Sequence, residues 1–150
     1  MNCVNCNMGL LERHDNLEIP GEFRDLTTTV IMPGVKCSEC GFVTIDGSQM
    51  AEYMRLVADA YRRAVDLLTS DDIRARRKSL KMNQDKFAKY LGVGTASIKR
   101  WEMGQIQDLA MDYLIRIKTD PGAAWSNYCE VANNLQLWPR FNNRHIPGKI

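Results

Sequence analysis

Four of the five cysteines fall into two Cys-x-x-Cys pairs, Cys3 with Cys6 and Cys37 with Cys40, and 30 residues separate the pairs. Such a set suits a tetrahedral four-thiolate zinc site, because each pair wraps two thiolates around one ion while the intervening chain brings the pairs together. Four protein ligands leave no open position for water. The expectation is therefore one structural zinc per chain and no catalytic residues. Gly9 and Gly41 lie just past the two pairs, where tight backbone turns are common. The rival chemistry is a thiol–disulfide couple at Cys3 and Cys6, which would make the protein a thiol oxidoreductase. It needs only one pair and normally follows a strand in a βαβ pattern, which this chain lacks. His14 reads as a surface histidine and Cys129 as a plain thiol, so neither joins the ligand set.

A second chemistry lies in the segment from Met82 to Gly104, which meets the physical requirements of two helices crossing at a tight turn. Ala88 is small enough for close helix approach, and Gly92 is free to take positive φ at the turn. Phe87, Leu91, Val93 and Ile98 supply a shared apolar seam. Asn83 is placed to cap the first helix, Gly94 or Thr95 to start the second, and Gly104 to close it. Thr95, Ala96, Ser97, Lys99 and Arg100 then stand at the exposed front of the second helix, the part of a recognition helix that reaches base edges. Arg100 suits guanine, since its planar fork matches O6 and N7 together. Lys99 suits a base or a phosphate. Gln84, at the start of the preceding helix, is placed to hold a phosphate and so fix register.

Charge divides the chain in the same way. Residues 1 to 70 hold six Lys/Arg against ten Asp/Glu, a net of −4, whereas residues 71 to 104 hold nine against four, a net of +5. An acidic part joined to a basic one suggests that the middle meets a polyanion and the N-terminal part meets something else. The opening residues contain no apolar stretch long enough for a signal peptide, and no window approaches a membrane span. A cytoplasmic protein is expected, where the reducing poise favours metal-bound over disulfide-bonded cysteines.

The elements that must position these groups are also legible. Thr27 to Ile31 has β-propensity, with Pro20-Gly21 and Pro33-Gly34 as turn signals bounding the extended region. So small a unit needs a metal for stability. Residues 48 to 68 have helical periodicity, capped by Asp46 or Ser48. Met50, Tyr53, Met54, Val57, Tyr61, Ala64, Val65 and Leu68 share one face, and Glu52, Arg55, Asp59, Arg62 and Asp66 lie elsewhere. Thr69-x-x-Asp72 has the form of a capping box and marks a junction near residue 70. Residues 71 to 118 read as four or five short helices. A helix near 123 to 135 is compatible with the tail, and Pro139 to Ile150 reads as irregular. The predicted fold is α+β. It comprises a small β-rich four-cysteine module with its connecting helix (1–68), an all-α helix-turn-helix domain (69–120) and a C-terminal extension (121–150).

Gln84, Ala88, Gly92, Val93, Ile98, Trp101, Glu102 and Gly104 make the segment from Ile73 to Gly104 resemble the lambda-repressor-like, or XRE, helix-turn-helix domains. With the two cysteine pairs and the connecting helix in front of it, the chain over residues 1 to 118 resembles the MqsA family of antitoxins, whose N-terminal part is called a YgiT-type zinc finger. The resemblance implies a zinc-stabilised module that binds and neutralises a protein toxin, commonly an mRNA-cleaving ribonuclease. It also implies a homodimeric DNA-binding domain that represses its own operon at a palindromic double-stranded operator. Arg100 matches the base-reading arginine of the family. Ala96 stands where a member of the family has a base-contacting asparagine, which implies a different operator sequence. A stand-alone zinc-containing XRE-type regulator is the second expectation and the thiol oxidoreductase the third. No membrane partner is expected.

Overall fold

The computed structural model describes residues 2 to 137, and the segment expected to be irregular, Pro139 to Ile150, lies outside them. The fold is α+β: a three-stranded antiparallel sheet in the order β1-β2-β3, followed by six α-helices among the described residues. The chain divides into two compact units, one ending at Asp108 and the other starting at Leu109.

β1 (Leu11–Phe23) and β2 (Leu26–Cys37) form one long hairpin, with a two-residue turn at Arg24-Asp25 where Arg24 takes a φ of 54°. β3 (Val43–Thr44) adds a short third strand beside Val35 and Lys36. Pro20-Gly21 and Pro33-Gly34, expected as turns, lie inside the strands. Pro20 sits on the edge strand, where a missing N–H is tolerated. Pro33 falls opposite the register shift between His14 and Leu17, so no ladder bond needs its nitrogen. Gly21 serves close approach instead of a turn, for a Cβ there would come within 2.6 Å of Val57 Cγ2.

α1 (Met50–Ala64) follows a 3-10 turn whose capping box is made by Asp46 and Gln49. The Gln49 side chain also donates to the Pro33 carbonyl at 2.7 Å, tying the helix start to the sheet. Leu17, Ile19, Val30 and Met32 from the hairpin bury against Val57, with Phe23, Tyr53 and Leu56 packed around them. That alternation along each strand is what one covered sheet face requires.

The periodicity assigned α1 a single apolar face, and the structure corrects it. Met50, Met54 and Val65 are 43% to 52% exposed, whereas Asp59 and Arg62 are 1% and 0% exposed. α1 has two covered sides, because the hairpin lies on one and the chain from Ser70 to Gln107 lies on the other. Arg62 donates from Nη1 to Asp59 Oδ1 at 2.7 Å, from Nη2 to the carbonyls of Trp101 and Gln105, and from Nε to Gln107. Asp59 also accepts from the Ser70 backbone N–H and hydroxyl at 2.8 and 2.6 Å. Every polar atom of this network is satisfied, which is the condition for keeping a buried ion pair.

α2 (Ser70–Ser79) begins at the capping box of Thr69 and Asp72. α3 (Gln84–Leu91) and α4 (Thr95–Glu102) form the helix-turn-helix, closed on itself by Ile73, Phe87, Ala88, Leu91, Ile98 and Trp101, all buried. In the second unit, α5 (Leu109–Thr119) is followed by α6 (Pro121–Asn134), which starts with Asp120 as N-cap and Pro121 in the first turn. The tail after Pro121 is therefore helical through Asn134. The Asp120-Pro121 pair is a helix-start signal in sequence.

Candidate metal centre and nucleic-acid interface

Cys3 and Cys6 approach Cys37 and Cys40 because the hairpin returns the chain to its own start. Leu11 pairs with Cys37 at the open end of the ladder, and Asn2 bridges to Leu10. All four sulfur atoms lie within 4.8 Å of one another. Cys3 Sγ is 3.7 Å from Cys40 Sγ, and Cys6 Sγ is 3.7 Å from Cys37 Sγ. Bonded sulfurs would be about 2.05 Å apart. A tetrahedral ion with metal–sulfur bonds of about 2.3 Å needs sulfurs about 3.8 Å apart. The donor set thus fits a thiolate-bound metal ion in size as well as chemistry.

Backbone and side-chain donors surround the sulfurs. The Gly9 N–H donates to Cys6 Sγ at 3.4 Å and holds that thiol below its ordinary value. Asn5, inside the first pair, donates from its side-chain amide to Cys40 Sγ at 3.5 Å, and this bond brings Cys40 down to about 6. At Cys37 the Cys40 N–H works downward, yet burial and the neighbouring sulfurs outweigh it and push the thiol up to about 11. Four thiolates crowded together repel unless a cation sits among them.

The second site lies on α3 and α4. Asn83 caps α3 by accepting from the Lys86 N–H, Gly92 takes a φ of 80° at the turn, and Gly94 opens α4. Ala96, Lys99 and Arg100 are exposed, while Thr95 and Ser97 are half-buried on the same helix. The Arg100 guanidinium lies 3.5 Å from the Ser97 hydroxyl and is otherwise turned to solvent. Gln84, half-buried at the start of α3, donates from Nε2 to Glu102 at 2.9 Å. Glu102 also receives a two-pronged contact from Arg77, Nε to Oε1 at 2.6 Å and Nη2 to Oε2 at 3.0 Å. Burial works to raise the Glu102 carboxyl, but Arg77 and Gln84 outweigh it and hold it below the ordinary range.

Residues 1–119 match the family model described as the antitoxin component of bacterial toxin-antitoxin system, MqsA. The chain belongs to the MqsA antitoxin family. Among curated proteins, none is similar enough to count as a relative. This MqsA-family antitoxin carries α6 beyond the matched region. Among the described residues, no helix is long and apolar enough to cross a membrane.

Sequence reasoning about the antitoxin missed the residues that orient its two sites. Asn5 was visible as a polar residue between two cysteines. Glu102 was visible only as a motif position, and its partners Arg77 and Gln84 lie 25 and 18 residues earlier. Gly104, expected to end α4, also admits α1: a Cβ there would lie 2.9 Å from Arg55 Cα.

Proposed function

We propose that this antitoxin holds one structural zinc on Cys3, Cys6, Cys37 and Cys40, neutralises a protein toxin through residues 1–68, and represses its own operon through residues 69–120. The toxin is an mRNA-cleaving ribonuclease. The observation that carries the proposal is the joining of an acidic four-thiolate module to a basic helix-turn-helix within a chain of this family. In the DNA-bound state, Arg100 reads a guanine, Thr95, Ala96, Ser97 and Lys99 flank it along the groove, and Gln84 meets a phosphate at the start of α3. Two copies bind a palindrome, because a single recognition helix reads only a few base pairs. The protein is a cytoplasmic binding protein and not an enzyme: all four thiols converge on one point, which suits a closed metal site better than an open redox pair.

The test combines three measurements on the full chain. Elemental analysis should give one zinc per chain. Footprinting should protect a palindrome in its own promoter, and RNA cleavage by the purified product of the adjacent gene should stop when the antitoxin is added. Unprotected promoter DNA would remove the repressor role, and undiminished cleavage would remove the proposed toxin.

A further inference from the structure

We infer that the solvent face of the β1–β2 hairpin is the surface on which the toxin docks, and that it fits a basic protein surface with an apolar contact at its centre. This rests on the toxin-binding role proposed above. The hairpin has two unlike faces. Leu17, Ile19, Val30 and Met32 occupy the one sealed in the core with Val57 of α1. The opposite face carries, from the middle of the ribbon to its tip, three cross-strand pairs: Glu18 with Ile31, Pro20 with Thr29 and Glu22 with Thr27. All six are exposed.

Ile31 is 64% exposed in the middle of a paired strand. A branched apolar side chain there contributes nothing to the core, since the core lies on the other side of the ribbon. Its cross-strand neighbour is the carboxylate of Glu18, at the short range typical of opposed residues. The face therefore offers an apolar side chain at mid-ribbon, with Glu18 beside it and Glu22 toward the tip.

Charge selects the occupant. Between residues 2 and 46 the acids are Glu12, Asp15, Glu18, Glu22, Asp25, Glu39 and Asp46, against Arg13, Arg24 and Lys36, a net of −4. Arg24 is drawn toward α1, stacking 5.0 Å from the Tyr61 ring and donating to its hydroxyl at 2.8 Å. Glu18 and Glu22 are the charged members of the three exposed pairs, so this stretch of the face is negative. Nucleic acid is repelled there and is served by the basic helices after residue 70. A cationic protein is steered to the same face, where the field speeds encounter and a desolvated apolar centre slows release.

Binding kinetics of the zinc-loaded full chain, with the purified product of the adjacent gene as the probe, test this directly. Glu18→Lys with Glu22→Lys should slow association by about tenfold and flatten its dependence on salt. Ile31→Asp should speed dissociation by about tenfold or more. Both variants should keep the wild-type zinc content, thermal midpoint and operator affinity, so a folding defect would be visible. Wild-type binding with unchanged rates in both variants overturns this surface and leaves the antitoxin role intact. No binding by the wild-type protein overturns both.

Discussion

Arg62 and Asp59 form an ion pair with both side chains sealed from solvent, Nη1 to Oδ1 at 2.7 Å, on the helix that joins the cysteine module to the helix-turn-helix. One partner reaches forward to Ser70 at the start of α2, the other to the Trp101 and Gln105 carbonyls at the end of α4. The cysteine module and the helix-turn-helix thus share one polar joint.

Removing one member of the joint should cost far more than an ordinary surface pair. Arg62→Met leaves Asp59 buried with its main counter-charge gone, and a loss of about 3 to 5 kcal/mol is expected. Urea denaturation measures it. The exposed Asp71, 3.2 Å from Arg74 and 3.1 Å from Arg55, provides the contrast, with Asp71→Ala costing about 1 kcal/mol.

Glu102 predicts an acid-sensitive component of stability. Its folded-state carboxyl lies below the ordinary value of about 4.3, so the stability it confers is complete above that value. That stability drains away as pH falls through the lower folded value. Glu102→Gln should lose about 1.5 to 3 kcal/mol at pH 7. Between pH 5 and pH 3 it should lose less further stability than the wild type, by chemical denaturation at each pH.

Two glycines separate backbone strain from crowding. Gly92 has a φ of 80° and nothing within 4 Å of a built Cβ, so Gly92→Ala should cost about 1 to 2 kcal/mol from conformation alone. Gly104 has a φ of 112° and the Arg55 backbone in contact range, so Gly104→Ala should cost more than Gly92→Ala. Thermal midpoints of the two variants in one buffer give the order.

At the proposed DNA face, Arg100→Ala should lose about 1 to 3 kcal/mol on the cognate operator and relax specificity at one position. Gln84→Ala should weaken all sequences alike, and it should also lower stability because Gln84 supports Glu102. Binding titrations on operator and scrambled DNA distinguish the two patterns. A uniform loss from Arg100→Ala would remove its base-reading role.

Local rules reached some parts of this structure and not others. Cysteine spacing, the caps at Thr69 and Asn83, the choice of Asp46 or Ser48 as a cap, and the positive φ at Gly92 are all set by a few neighbouring residues, so they were legible, with Asp46 taking the cap. Pro20-Gly21 and Pro33-Gly34 were misleading, because proline marks a turn only when no edge position or bulge accommodates it. Asp59 and Arg62 fell outside the apolar face because hydropathy records the cost of burial and is blind to partners 11 to 45 residues away. Gln84 has the same lesson: its place at the start of α3 was legible, its bond to Glu102 was not.

The most direct test of the central claim is growth of cells that express the product of the adjacent gene, with and without this protein. Neutralisation predicts that the product alone arrests growth, that the full-length protein restores it, and that Cys3→Ser with Cys37→Ser abolishes the rescue. Arrest that persists at equal expression of the two proteins would contradict the claim.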